Sequence, residues 1–181
     1  MVIVNNTDYF FKNVKGLIAY IMQNLDNPTP LKIQKSLYFL WAFYAATYGD
    51  IDYNEATEFS IQSKYPKELF PAYFEARIYG PVISSVFTQY HRTDGFKEIL
   101  NSDMARDSDV ANEVSDSNKK EIWSFIDDLL SQINNVDDFG LVERSHEDNA
   151  WKHAYKESEK HCHMDNEEIK KDYVNYVRQQ S

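Results

Sequence analysis

Residues 30–41 read Pro-Leu-Lys-Ile-Gln-Lys-Ser-Leu-Tyr-Phe-Leu-Trp, and their pattern predicts the central element of the fold. Ile33 and Leu37 are among the apolar side chains that recur here at the period of an α-helix. Thr29 is suited to cap the helix and Pro30 to occupy its first position, where a missing N–H costs nothing. The bulky apolar side chains predict that this helix lies at the centre of the core.

A second segment follows about forty residues later and reads Phe-Glu-Ala-Arg-Ile-Tyr-Gly-Pro-Val over residues 74–82. Residues 72–79 show the alternation of a short strand. Gly80 and Pro81 then predict a turn that also starts a helix, with Gly80 at the cap and Pro81 at the first helical position. The sequence therefore predicts a small β element before Gly80.

Apolar side chains at the helical period predict helices in the rest of the chain as well. These cover residues 9–25, the stretch after Pro81, residues 117–133, residues 136–151 with a break near Asp148, and residues 166–180. Residues 101–118 are rich in Asp, Ser and Asn and predict an exposed loop. We expect a compact, mainly α single-domain fold over residues 1–181.

The length of 181 residues suits one domain with its own core, and the hydrophobic fraction of 43% supplies enough material for burial. Cys162 is the single cysteine, so an internal disulfide is excluded. The longest apolar run, residues 37–46, is shorter than the roughly 20 residues of a membrane span. No secretory signal pattern is present, and we expect a cytoplasmic protein without a membrane partner.

The net charge of −10 lies in the second half of the chain. Residues 1–97 hold 9 basic and 9 acidic residues, whereas residues 98–181 hold 10 and 20. An acidic surface argues against nucleic acid as a partner, because phosphate contacts require cations. Two interpretations stay open, namely a solvated acidic face and an electrostatic match for a basic partner.

The sequence contains no convincing catalytic or metal-binding pattern. His146 follows Ser145 directly, whereas a hydrolytic triad draws its members from separate elements, which favours a structural role at a helix corner. His161, Cys162 and His163 are adjacent, so their side chains point apart, unlike the spaced ligands of zinc sites. Glycine-rich phosphate loops are missing as well. We expect no catalytic residue, no metal and no cofactor.

Lys32 and Lys35 share one face of the predicted central helix, with Tyr38 at its edge. We expect a small cationic surface patch, which is either a solvated helix edge or an anchor for a carboxylate of a partner or of the C-terminal half. Arg77 and Tyr79 join this patch if the strand packs beside the helix. The large rings of Trp41 and Trp151 predict core positions.

Three blocks of the sequence resemble the Panacea (SocA-like) antitoxin domain family, a family of phage-associated proteins. The first two are residues 30–41 and 74–82, which are similar to the family's Leu-Lys-Leu-Gln-Lys-Leu-Leu-Tyr-Phe and Phe-Glu-Ala-Trp-x-Tyr-Gly-Pro-Val. The third, residues 141–152, resembles its Leu-x-x-x-Thr-His-x-x-x-Pro-Trp. Ser36, Arg77 and Ala150 depart from these patterns. The resemblance extends over about residues 30–176.

The resemblance implies an antitoxin that binds and neutralises a co-encoded toxin by direct contact, and a further role as an adaptor that delivers the toxin to a Clp-type protease. We expect the partner-binding residues to lie in the resembling blocks, at Lys32, Lys35, Tyr38, Arg77 and Tyr79. The same blocks contain a structural motif formed by Gly80, Pro81, His146 and Trp151. Two alternatives stay open: a small hydrolase centred on His146, and a phage-encoded inhibitor of a host protein.

Overall fold

The computed structural model describes residues 8–51, 65–100 and 110–181, and it places the predicted central helix inside the protein. Helix α1 spans Lys15–Asn24, and helix α2 spans Pro30–Thr47. The Thr29 hydroxyl accepts a hydrogen bond from the Lys32 backbone N–H at 3.1 Å, and Pro30 is the first helical residue. The predicted start of α2 is therefore confirmed.

The remaining elements follow in the order strand, strand and helices. They are β1 (Phe74–Arg77), β2 (Gly80–Ile83), α3 (Ser84–Arg92), α4 (Lys97–Leu100), α5 (Asp116–Asn134), α6 (Asp138–His146), α7 (Asn149–Ala154) and α8 (Asn166–Gln180). The described part of the chain is thus a compact, mainly helical fold with a small two-stranded antiparallel sheet, as the sequence predicts.

Helix α2 is covered along most of its length. It packs against α1, α3, α5, α6, α8 and strand β2, and 14 of its 18 residues are buried. Leu37, Leu40 and Trp41 lie at the centre of this core, each at most 1% exposed. Burial of such side chains contributes about 1.5–3 kcal/mol each. Helix α2 is consequently the element on which the other elements assemble.

Strands β1 and β2 form a hairpin whose turn is Ile78 and Tyr79, with Arg77 paired to Gly80. The predicted helix start at Gly80 and Pro81 is wrong, because both residues belong to β2 and α3 begins at Ser84. The physical reason is the positive φ of 90° at Gly80, which closes the hairpin turn and is readily adopted by glycine.

The β element therefore extends past Gly80 and also has a third partner. The Ala76 N–H donates to the Cys162 carbonyl at 2.7 Å, and the Met164 N–H donates to the Phe74 carbonyl at 2.9 Å. These bonds fasten the outer edge of β1 to the segment between α7 and α8. The hairpin is consequently attached on both edges, since β2 faces α2.

Two further boundaries differ from the predictions. Helix α1 begins at Lys15, because the backbone N–H groups of Phe10 and Phe11 donate to the Glu68 and Leu69 carbonyls and not within a helix. Residues 101–109 of the predicted exposed loop lie outside the described residues. In the rest of that stretch Asn112 and Glu113 are exposed, whereas Val110 and Ala111 are buried and α5 begins at Asp116, so the prediction of an exposed loop holds only in part.

None of the helices in the described residues is both long enough and apolar enough to cross a membrane.

Replacing Gly80 by alanine is predicted to lower the free energy of unfolding by roughly 3 kcal/mol. A Cβ at this position would lie 2.4 Å from the Ser145 hydroxyl oxygen and 2.8 Å from Lys35 Cε, and the positive φ strains any residue with a side chain. Urea unfolding followed by circular dichroism measures the loss.

Gly140→Ala is the matched control, because Gly140 lies inside helix α6 without a positive φ and the nearest side chain to an added Cβ is the exposed Val136. We expect this control to change stability by less than about 1 kcal/mol. Equal losses for the two variants would contradict a special requirement for glycine at position 80.

Candidate functional site

Two polar side chains of α2 bind the free edge of strand β2. Gln34 accepts a hydrogen bond from the Ile83 N–H at 2.9 Å and donates its amide to the Ile83 carbonyl at 3.2 Å. Lys35 donates to the Pro81 carbonyl at 2.8 Å. The Gln34 side-chain amide thus forms with β2 the two hydrogen bonds that a peptide group of a third strand would form. We call these four residues the helix–hairpin clamp.

The expected cationic surface patch is wrong. Lys35 is 1% exposed and Lys32 is 6% exposed, because the neighbouring elements cover this part of α2. The Lys32 ammonium donates to the Val136 carbonyl at 2.9 Å, so both lysines bind backbone oxygens of their own chain. Burial lowers the pKa of Lys35 to about 7. Both lysines therefore support the fold from inside.

Tyr38 is also buried, which corrects its expected place on a partner-binding surface. Its hydroxyl donates to Asp148 at 2.7 Å, and the Tyr173 hydroxyl donates to the same carboxylate oxygen at 2.8 Å. Arg144 donates to the other oxygen at 2.8 Å. Burial raises the pKa of Asp148, against the opposing effect of these donors. Sequence reasoning missed the role of Asp148, because its tyrosine partners are 110 and 25 residues away along the chain.

A groove opens beside the helix–hairpin clamp, between the first turns of α2, the hairpin turn and α3. Its volume is about 310 Å³. We call it the hairpin groove, and it is lined by Pro30, Leu31, Gln34, Lys35, Arg77, Ile78, Tyr79, Val82 and Phe87. Two residues of the expected partner-binding set, Arg77 and Tyr79, therefore lie at an open surface, whereas Lys35 forms part of the floor.

The rim of the hairpin groove is apolar and exposed. Ile78 is 61% exposed, Tyr79 is 55% exposed and Phe87 is 41% exposed. The Arg77 guanidinium lies 5.0 Å from the centre of the Phe87 ring and pairs with Glu75 at 2.9 Å. Carboxylates are missing from the lining. Clusters of exposed apolar side chains of this kind are typical of protein-binding surfaces.

A stack of rings supports the hairpin turn from behind. The Trp151 indole N–H donates to the Arg77 carbonyl at 3.0 Å, and Trp151 is half-buried. His146 stacks on one side of Trp151 at 3.9 Å between ring centres, and Tyr155 also stacks on it, at 4.8 Å. This stack holds the backbone from which Ile78 and Tyr79 project.

His146 contacts the hairpin turn as well. Its pKa is lowered by burial and by the nearby charge of Lys35, against the effect of a hydrogen bond to the Ile78 backbone. Its Nε2 atom is buried without a hydrogen-bond partner in the described residues. The neighbouring Ser145 is fully buried, and its hydroxyl donates to the Val142 carbonyl at 2.7 Å. The structure thus places His146 behind the turn and Ser145 out of reach of a substrate.

The adjacent residues His161, Cys162 and His163 face different neighbours. His161 binds Glu75 at 3.1 Å, while His163 packs edge-on against Tyr73 at 4.1 Å. Cys162 is buried. Over residues 8–51, 65–100 and 110–181, no group of three or more His, Cys, Asp or Glu side chains is arranged to hold a metal ion.

Comparison of the chain with protein-family models, with curated proteins and with solved structures finds no match. The geometry of the hairpin groove is therefore the main structural guide to function.

Lys35 is predicted to make stability depend on pH. Because its pKa is about 7 in the folded protein and near 10.5 in the unfolded chain, folding releases a proton between these values. The stabilising contribution is present above pH 10.5 and is lost as the pH falls towards 7. Between pH 7.5 and 9.5, the free energy of unfolding of the wild type should rise relative to that of Lys35→Met by on the order of 1 kcal/mol per pH unit.

Urea unfolding of both proteins across this pH range measures the difference. Lys119→Met, which removes a cation from the N-terminal part of helix α5, is the control and should follow the wild type in its pH dependence. A stability difference between wild type and Lys35→Met that stays constant with pH would contradict a depressed pKa at Lys35.

Proposed function

We propose that this chain is a protein-binding module that neutralises a toxin encoded beside it, and that the hairpin groove is its contact surface. One observation carries the proposal: Ile78, Tyr79 and Phe87 are large apolar side chains that the fold leaves exposed around a groove. Because these side chains are exposed, they contribute little to the hydrophobic core. A partner that covers them gains the free energy of removing their apolar area from water.

The groove is suited to recognition because its walls are ordered before binding. The helix–hairpin clamp and Trp151 fasten the hairpin turn from two sides. Arg77 is held by Glu75 and Ser84. Aromatic side chains, and an arginine that is already held by its own chain, lose little conformational entropy on binding, and both residue types are common among those that dominate interface energies.

The resemblance to Panacea-like antitoxins supports the proposal that the partner is a toxin encoded beside this chain. Its first two sequence blocks meet in this structure, since Lys35 of the first binds Pro81 of the second and Gln34 binds Ile83 directly after it. The blocks that carry the resemblance therefore build the groove wall. An adaptor that delivers the toxin to a Clp-type protease and an inhibitor of a host protein would use the same surface, and they differ from direct neutralisation by the fate and identity of the partner.

Tyr79→Ala is predicted to weaken binding of the toxin encoded by the neighbouring open reading frame by at least about 30-fold, which is the effect of losing an interface hot spot. Isothermal titration calorimetry measures the dissociation constant, and growth of cells that express the toxin measures neutralisation. The variant should keep the circular dichroism spectrum of the wild type, because the Tyr79 side chain is 55% exposed.

Tyr73→Ala is the matched control. Tyr73 is 57% exposed and belongs to the same region, but it packs on His163 and does not line the groove. It should bind the toxin as the wild type does. Equal weakening by the two variants would place the interface elsewhere, and failure of the wild type to rescue growth would refute the antitoxin function.

A further inference from the structure

A second groove lies near the other end of α2, where α2, α5 and α8 meet. Its volume is about 540 Å³. Four aromatic rings form its walls, namely Phe43, Tyr48, Phe125 and Tyr176. We call it the acid–aromatic groove, because its charged lining residues are the carboxylates Glu121 and Asp128. Basic side chains are missing from the lining, in contrast to the hairpin groove with Lys35 and Arg77.

The two carboxylates flank the aromatic floor. Glu121 and Asp128 are seven residues apart on α5, which puts them on the same helix face about 10 Å apart, with Phe125 between them. Burial raises the pKa of Tyr48, and the charges of both carboxylates raise it further, so both act on the same ring. Glu121 accepts a hydrogen bond from Tyr65, whereas Asp128 has no ion-pair partner among the described residues.

One ring of the acid–aromatic groove, Tyr176, already contacts a guanidinium group of the chain itself. Arg144 lies 4.8 Å from the centre of the Tyr176 ring and 5.3 Å from that of Tyr173, and it pairs with Asp148 at 2.8 Å. This arrangement combines a ring face and a carboxylate around one guanidinium. The lining of the acid–aromatic groove supplies the same kinds of group, with the rings Tyr48 and Phe125 and the carboxylate Asp128, and contains no arginine.

We propose that the acid–aromatic groove binds an arginine side chain on a basic segment of a partner protein. A guanidinium stacks on aromatic faces and forms paired hydrogen bonds with carboxylates, which a lysine ammonium does less well. Charge complementarity selects this occupant, because the groove is lined by two carboxylates and the chain carries a net charge of −10. The two carboxylates would repel an acidic segment, and a purely apolar segment would leave them without a charged partner.

This site is separate from the hairpin groove. Leu31 lines the hairpin groove and Phe43 lines the acid–aromatic groove, and these positions are 12 residues apart on α2, or about 18 Å. Both grooves are therefore open to occupation at the same time, by one partner or by two. The proposal does not depend on the antitoxin function.

The test uses a fluorescein-labelled peptide of the sequence Gly-Leu-Arg-Gly-Leu-Arg-Gly and a second peptide in which citrulline replaces both arginines. Citrulline keeps the shape of arginine and lacks its charge. Fluorescence anisotropy at about 25 mM salt, where charge interactions are weakly screened, measures binding to the full chain. We expect the arginine peptide to bind the wild type at least about tenfold more tightly than the citrulline peptide.

The double variant Glu121→Gln, Asp128→Asn should weaken binding of the arginine peptide at least about tenfold. Its matched control is Glu113→Gln, Glu157→Gln, which changes the net charge by the same amount at exposed residues outside the groove and should bind within about twofold of the wild type. Glu121 accepts a hydrogen bond from Tyr65, so its replacement also removes a contact within the protein. Asp128→Asn alone therefore serves as a second variant and should show most of the loss of peptide affinity.

Three results would overturn the proposal. The first is equal binding of the arginine and citrulline peptides, and the second is equal weakening by the groove variant and its control, which would indicate general attraction to an acidic protein. The third is unchanged binding by Asp128→Asn and by the double variant. None of these results bears on neutralisation through the hairpin groove, because the toxin is not used.

Discussion

The structure depends on the helix–hairpin clamp, in which Gln34 and Lys35 of a buried helix bind the edge of strand β2. Burying an amide and an ammonium group is costly unless their hydrogen bonds are satisfied. The edge of a two-stranded hairpin is equally unfavourable when it faces the core without partners. The side chains of Gln34 and Lys35 therefore satisfy the backbone groups of the β2 edge, and these backbone groups satisfy the two buried side chains. Pro81 is suited to this edge because it has no N–H to satisfy.

The clamp and the ring stack together explain why the hairpin turn is available for binding. Lys35 and Gln34 fasten β2 from the side of α2, while Trp151 binds the Arg77 carbonyl from the other side. Gly80 allows the close approach, since a Cβ at its position would collide with Ser145 and Lys35. The side chains of the turn residues Ile78 and Tyr79 take no part in these contacts and remain exposed. A fixed backbone with exposed apolar side chains is a favourable arrangement for recognising a protein partner.

Sequence reasoning predicted the helical elements well, because their apolar side chains follow the helical period and Thr29 and Pro30 mark the start of α2. It failed where burial of polar groups is decided by tertiary contacts. Lys32 and Lys35 were expected on the surface, yet the run of apolar residues 37–46 contains no polar face, and this pattern is itself a sign of a helix covered all round. The hydrogen bonds from Tyr38 and Tyr173 to Asp148 join distant segments, which local patterns do not contain.

The most direct test of the clamp is amide hydrogen exchange at Ile83, whose N–H donates to the Gln34 side chain at 2.9 Å. In Gln34→Leu the hairpin loses this acceptor and keeps the bond from the Ala76 N–H to the Cys162 carbonyl on its other edge. We predict that protection at Ile83 falls by at least about tenfold more than protection at Ala76. Unchanged protection at Ile83, or an equal fall at both amides, would contradict the central role of the clamp.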